Sequence, residues 1–472
     1  MIISGLIMAQ NSAAYELGNV DIHGFISQGF MQSDTYDYFA RTDSPTTSEG
    51  TFEFNEMGIN FSSQLTDELR LGVQLFAMDL GDYGNDEITV DWAYGDYRLN
   101  NYLGIRAGKF KIAHGLHNEV KDIDSVRTFV FLPRAIYYPG MRDLFGGMKG
   151  VSLYGELPYG VSYQGGYGLV QVETDAKIVD DLTDTSTANA KISIYDTFAA
   201  GIGADGASAV LAASNIAFEV TDADTHNTKN LAIRWSPPKL DGLRLSGTYY
   251  GSEAEFAVDF TGTTVTVPDA VVQATAQAQA AQAAAAAGIT DPATIAAMAA
   301  AAEPTVRATL DAGAGAAAAS LLNTTKIKFN EISTMVFSAE YTFGNTMLFG
   351  EYNKIKIDAE GQDVVDETGW AAGASHRFTD WFELGAYYSD YNTDDDDRDG
   401  EDLEEVGIPK EERYLRDFCL ATRFDINEYW ILKLEGHAMD GLYRINWRSH
   451  TDPGEDPDAD WYLFAAKVSY SF

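Results

Sequence analysis

Charged and aromatic side chains crowd into one stretch of the chain, residues 102–156 (YLGIRAGKFKIAHGLHNEVKDIDSVRTFVFLPRAIYYPGMRDLFGGMKGVSLYGE). It contains Glu119, Lys121, Asp122, Asp124, Arg127, Arg134, Arg142 and Asp143. Fixed charges of both signs sort ions by field, and the stretch offers no activated nucleophile that would make or break a bond. The rest of the chain is equally poor in enzyme signals, with no HExxH, P-loop or GxSxG pattern. Gly201, Gly203 and Gly206 match GxGxxG, but in a long polar connection without the βαβ unit that a dinucleotide needs. The single cysteine, Cys419, rules out an intramolecular disulfide and a cysteine-based zinc cluster. One acidic run places Asp395, Asp397, Asp399 and Gly400 at calcium-loop positions one, three, five and six. Val406 stands at position twelve and Glu405 one residue short of it, so the expectation is a solvated acidic loop with at most a bridging calcium ion and no other cofactor.

These residues need elements to carry them, and the bulk properties narrow the choice. The 472 residues hold 32 Lys+Arg against 71 Asp+Glu, a formal charge of −39 that repels nucleic acid. No apolar run reaches the 18 to 20 residues of a spanning helix, which excludes an α-helical membrane protein and leaves a membrane β-barrel open. Residues 1–14, apolar from Met1 to Ala9 and then small at Ser12-Ala13-Ala14, read as the end of a secretory signal without its basic part.

Period-two alternation runs through the rest. Tyr462, Phe464, Ala466, Val468, Tyr470 and Phe472 form an apolar face opposite Leu463, Ala465, Lys467, Ser469 and Ser471. The same pattern occurs at 69–75, 231–235, 243–249, 418–424 and 430–435, as expected when one strand face meets lipid and the other water. Tight turns at 66–68, 100–101, 158–160, 236–242, 344–345, 379–380 and 426–428 alternate with connections that are mostly longer and more polar. The count predicts a single transmembrane antiparallel β-barrel over residues 15–472, about 16 strands with both termini on the short-turn side. Within it, the Ala-rich segment 256–325 is a loop insertion. Residues 268–322 are expected to form three short helices, restarting at Asp291-Pro292 and Glu303-Pro304, as a lid or partner surface or as a tolerated insertion. With the apolar faces outward, Arg106, Arg234, Arg244, Arg423, Lys433 and Lys467 face the lumen as a ladder of cations, while carboxylates concentrate in the loops. The ladder favours anions and the acidic loops favour cations at the mouth.

The succession Gly108-Lys109-Phe110-Lys111, Gly115-Leu116-His117-Asn118-Glu119, Asp122, Arg127, Leu132-Pro133, Tyr137 to Gly140, Met141-Arg142-Asp143 and Gly155-Glu156 resembles the Gram-negative outer-membrane porin family that includes phosphate-selective and dicarboxylate-type channels. The resemblance is densest over about fifty residues, and the strand pattern extends it loosely. It implies a homotrimer in the outer membrane, among lipid and lipopolysaccharide, with the third loop folded inward as a constriction. It also implies that Phe472 is an assembly signal read by the barrel-assembly machinery. Carried over by position, Arg127, Arg134 and Arg142 would be constriction cations, with Glu119, Asp122, Asp124 and Asp143 as their partners or as cation-selecting groups, and Lys121 at the same place. The Ala-rich insertion, the strong negative charge and the lack of a dense lysine cluster depart from the phosphate-selective type. The expected function is passive diffusion of small hydrophilic solutes, organic or inorganic anions above all, with no enzyme activity. The alternative is an outer-membrane structural or binding protein whose acidic and Ala-rich loops engage a partner or surface.

Overall fold

The computed structural model describes residues 15–17, 20–39, 47–81, 84–172, 177–360, 365–395, 397–405, 408–445, 447 and 456–472. Residues 1–14, read above as a signal remnant, lie outside them. After a three-residue strand β1 (Tyr15–Leu17), sixteen strands close a barrel: β2 (Val20–Ser33), β3 (Phe54–Gln64), β4 (Leu69–Leu80), β5 (Thr89–Asn100), β6 (Leu103–Phe110), β7 (Met148–Leu157), β8 (Val161–Leu169), β9 (Glu219–Trp235), β10 (Leu243–Asp259), β11 (Lys326–Phe343), β12 (Thr346–Ala359), β13 (Val365–Thr379), β14 (Phe382–Asn392), β15 (Tyr414–Asp425), β16 (Trp430–Gly441) and β17 (Asp460–Ser471). Each pairs with its neighbour in sequence, and β17 returns to β2 through an antiparallel ladder from Leu463↔Ser33 to Ser471↔Phe25. Phe472 completes the seam, its N–H bonding Gly24 O and its carbonyl accepting from Gly24 N, both at 3.0 Å. Closure satisfies the backbone groups that an open edge would leave bare in lipid. Every tight turn and every long connection falls where the alternation of the sequence places it, and both ends of the barrel chain lie on the short-turn side.

The burial pattern inverts that of a water-soluble protein. Leu231, Ile233, Phe418, Leu420, Tyr462 and Phe464 are exposed on the outside, whereas Arg423, Lys433, Glu435 and Lys467 on the same or adjoining strands are buried inside. A surface of this kind is stable against hydrocarbon and not against water. The chain therefore forms a transmembrane barrel, and among the described residues no helix is long and apolar enough to cross a membrane.

The chain forms two compact units. The second, within Glu173–Asp224 and Glu255–Lys328, is built on three helices, Lys177–Ala213, Asp269–Ala287 and Pro292–Leu322. Ile194, Phe198, Ala207 and Val210 of the first pack with Val271, Val272 and Ala276 of the second and Val306 and Ala314 of the third. Asp291 caps its helix as expected, accepting from Thr294 N at 2.9 Å. Glu303-Pro304 is no restart: the helix runs through Pro304, because alanine on both sides and the contact of neighbouring Val306 with the unit's core offset one missing hydrogen bond. The polar connection carrying Gly201, Gly203 and Gly206 is itself helical, with Gly203 breaking the helix at φ 76°.

Inside the barrel, Gly29 of β2 lets an aromatic ring reach the wall. A Cβ there would overlap the Phe54 ring, which is buried and stacks on Phe131 at 5.1 Å. Gly29→Val is expected to destabilise the barrel by about 1–3 kcal/mol through overpacking. A lower urea midpoint of the heat-modifiable form measures this, and an unchanged midpoint refutes the packing argument.

Candidate pore constriction

The connection between β6 and β7, residues 111–147, folds into the lumen, as expected of the third loop. Its path is fixed by polar groups that the barrel wall already presents. The main determinant is a row of cations. Lys467 on β17 lies opposite Lys433 on β16, and Lys433 lies opposite Arg423 on β15, so three positive side chains stand abreast at one level. Like charges in adjoining register positions repel and need counter-ions. Asp124 of the connection supplies one, its Oδ1 lying 3.0 Å from Lys433 Nζ and 3.5 Å from Lys467 Nζ, while Oδ2 accepts from Ser469 Oγ at 2.7 Å. Arg127 joins the group at 3.4 Å from Asp124 and 3.8 Å from Glu56, which also pairs with Lys467. Arg423 pairs with Asp425 at 2.8 Å and donates to the carbonyls of Ser125 and Arg127 at 2.9 and 3.0 Å. Burial pushes the Asp124 carboxyl up, but Lys433, Lys467 and Arg127 prevail and hold it well below the usual carboxylate range.

A second cluster anchors the other arm. Asp122 lies 2.5 Å from both Arg142 Nη1 and Lys111 Nζ, and Asp91 of β5 meets the same two cations at 3.4 and 2.6 Å. Burial raises the Asp122 carboxyl and Arg142 and Lys111 overcome it, so it too stays ionised far into acid. Neutral bonds complete the circuit. Glu351 of β12 accepts from Tyr137 Oη at 2.8 Å, Ser338 Oγ at 2.6 Å and Leu116 N at 3.1 Å, and Glu383 of β14 accepts from Thr128 at 2.7 Å. Glu435 of β16 receives the N–H groups of Val130 and Phe131 at 2.6 and 3.0 Å. Asn230 of β9 exchanges bonds with both backbone groups of Ala113 at 2.9 Å.

Several of the residues proposed from sequence thus meet as partners, Arg127 with Asp124, Arg142 with Asp122 and Arg234 with Glu119. All six lumen cations have carboxylates: Arg106 with Asp96 at 3.3 Å, Arg234 with Glu119, Arg244 with Glu340 at 3.1 Å, and Arg423, Lys433 and Lys467 as above. The ladder of cations is thus a set of ion pairs. Arg134 is held elsewhere. Its guanidinium donates to Arg444 O at 3.0 Å and lies over the rings of Tyr38 and Tyr138 at 4.9 and 4.7 Å, while the Arg444 guanidinium also lies over the Tyr138 ring, at 4.4 Å. Lys121 is half-buried, and burial together with Arg142 lowers its ammonium to about 7. The side chain of Asp143 lies outside the described ones. In the acidic loop, Arg413 meets Asp397 at 2.6 Å and Arg398 meets Asp395 at 2.8 Å, so arginines already neutralise two of the proposed calcium-binding carboxylates, with Asp399 beside them.

What sequence reading missed is the acidic half of the wall: Glu56, Asp91, Asp96, Glu351, Glu383 and Glu435. Alternation carries the signal, since Glu435 shares the inward parity of Ile431 and Lys433. No family model and no curated protein matches the chain. Among solved structures it is similar to in-vitro folded OmpT, an outer membrane protein of Vibrio cholerae, at 11% identity over 98% of this chain and 100% of that one, with a TM-score of 0.52. The outer-membrane expressed form aligns at 11% identity over 97% and 100%, with a TM-score of 0.50. The fold is that of an outer-membrane barrel.

Two outcomes follow from the anchoring. Asp124→Asn leaves Lys433 and Lys467 buried with one counter-ion fewer and is expected to cost about 3–5 kcal/mol, read as a lower urea midpoint and faster proteolysis within 111–147. His114 is buried, its ring stacks on Phe145 at 4.7 Å and its Nε2 meets Ile136 O at 2.8 Å; burial lowers its pKa to about 4. Between about pH 6.5 and 4 the unfolded chain takes a proton that the folded site refuses, so this contribution is complete above that window and is lost as pH falls through it. His114→Gln is expected to shrink the drop in urea midpoint between pH 7 and 5, and an equal drop in both proteins refutes the assignment.

Proposed function

We propose that the protein is a channel in the outer membrane of a Gram-negative bacterium, through which small hydrophilic solutes diffuse passively past the 111–147 connection. The observation that carries this reading is a closed barrel, apolar outside and charged inside, with a charged connection folded across its lumen. No covalent chemistry on the solute is part of it. Organic or inorganic anions are the proposed solutes. In support, the wall already holds one carboxylate, that of Asp124, between two lysines, an arginine and a serine hydroxyl. Arg444 adds a cation with no ion pair among the described residues, in a cavity that Arg134, Tyr138 and Tyr391 also line. The six lumen cations contribute less than their number suggests, because each is compensated.

The proposed assembly is a homotrimer, embedded among lipid and lipopolysaccharide and inserted by the barrel-assembly machinery with Phe472 as signal. A calcium ion in the 394–402 loop belongs to the proposal only as a competitor of Arg398 and Arg413 for Asp395 and Asp397. One observation favours the second reading, a barrel that serves as an anchor or binding protein: the connection bonds to β9, β12, β14, β15, β16 and β17, spanning much of the wall.

Recording in a planar bilayer under a salt gradient separates the two. Stepwise conductance in threes with a reversal potential favouring anions is expected, and replacing Arg127, Arg134 and Arg142 by glutamine should shift the preference towards cations. Cation preference in the unaltered protein overturns the solute assignment, and absence of conductance moves the reading to the anchor.

A further inference from the structure

Beneath the connection, β15 and β16 bring together three side chains that neither permeation nor loop anchoring fully explains. Cys419 lies directly opposite His437 in the ladder, and Glu435 is the next inward residue on the strand of His437. All three are buried, and one donor atom from each, the thiol sulfur, an imidazole nitrogen and a carboxylate oxygen, lie within 4.8 Å of one another. Their outer contacts are already arranged. Asp417 Oδ1 lies 2.9 Å from His437 Nδ1 and accepts its N–H, and Tyr387 Oη donates to Asp417 at 3.0 Å. That leaves Nε2 aimed at Glu435 Oε1, 2.8 Å away, while the Val130 and Phe131 N–H groups fix the carboxylate. A histidine whose far nitrogen is bonded to a carboxylate, beside a carboxylate held by backbone amides, is the outer-partner arrangement found around protein-bound zinc.

We propose that Cys419, Glu435 and His437 form a binding site for a transition metal of the Zn2+ class in the inner wall of the barrel. Sulfur, nitrogen and oxygen donors together select a borderline metal over Ca2+ or Mg2+, which take oxygen alone. Charge bookkeeping is even. Without metal, an imidazole flanked by two acceptor-only carboxylates carries a proton on each nitrogen, and the thiol carries one. Binding releases the thiol proton and the Nε2 proton to solvent, so one dication replaces two protons and the net charge of the buried group is unchanged. Because Glu435 also holds Val130 and Phe131, the ion would tie the middle of the 111–147 connection to the wall. The inference rests on the barrel and its register, and it stands whether or not the lumen conducts.

The test uses the intact, heat-modifiable protein, stripped with chelator and reloaded with Co2+ or Zn2+. One metal per chain by elemental analysis is expected, with a thiolate-to-cobalt charge-transfer band in the near ultraviolet. Cys419→Ser and His437→Gln should each abolish the band while heat-modifiable mobility persists. Absence of the band and of stoichiometric metal in the unaltered protein overturns the site, as does retention of both in folded Cys419→Ser. Should either variant fail to fold, the band in the unaltered protein decides alone, since an intense band of that type requires a cobalt–sulfur bond and the chain has one cysteine.

Discussion

Three cations abreast on adjacent strands set the terms for the interior. Arg423, Lys433 and Lys467 occupy one level of β15, β16 and β17, and the wall relieves their repulsion only in part: Asp425 pairs with Arg423 and Glu56 with Lys467, while among the described residues no wall carboxylate pairs with Lys433. The remaining relief comes from the 111–147 connection, which brings Asp124 to the two lysines and two backbone carbonyls to the arginine. The connection in turn has little of its own to fold around, with short helical turns at Asp124–Val126, Pro139–Met141 and Arg142–Phe145 as its only regular structure. Wall and connection each lack what the other provides, so the position of the connection is a consequence of charge balance.

The same dependence explains why the buried charges are tolerated. An isolated ion under the connection would cost several kcal/mol, and each pair regains this only when its remaining hydrogen-bonding capacity is filled. Lys433 shows the pattern: besides Asp124 Oδ1 it reaches the carbonyls of Asp124 and Phe129 at 2.7 and 3.2 Å. Outside the barrel the opposite economy holds, with leucine, isoleucine and aromatic side chains facing outward where a charge would meet hydrocarbon.

Much of this was legible in the residue order. A period of two is a property of the strand itself, so alternation at 460–471 or 430–441 reports which side chain faces which solvent without any knowledge of the partner strand. Alternating short and long connections then gave the strand number. The lumen cations follow from the same parity, but which carboxylate neutralises each of them does not, because partners such as Asp96 of Arg106 or Glu56 of Lys467 are fixed by register between strands and not by order along one. Pairings such as Asp124 with Ser469 span most of the chain and have no local signature. The helix at Lys177–Ala213 escaped for a different reason: its threonines, aspartates and glycines are weak helix formers, and contact of Ile194 and Phe198 with the other two helices supplies what propensity lacks.

The formal charge of −39 therefore says little about the field inside the barrel. Around the connection, acids and bases are gathered into compact clusters, and such clusters present dipoles to their surroundings more than isolated charges. Dipolar fields fall off faster than those of single charges, so their influence is confined to solutes that come within a few ångströms of the pair. Charges in the loops act over about a Debye length, and salt screens them. In the proposed channel an ion would meet two fields of different range: a long, salt-sensitive one set by the loops, and a short one set by the row of cations that Asp124 joins. Only the second depends on where the connection lies, because the connection itself supplies Asp124 to Lys433 and Lys467.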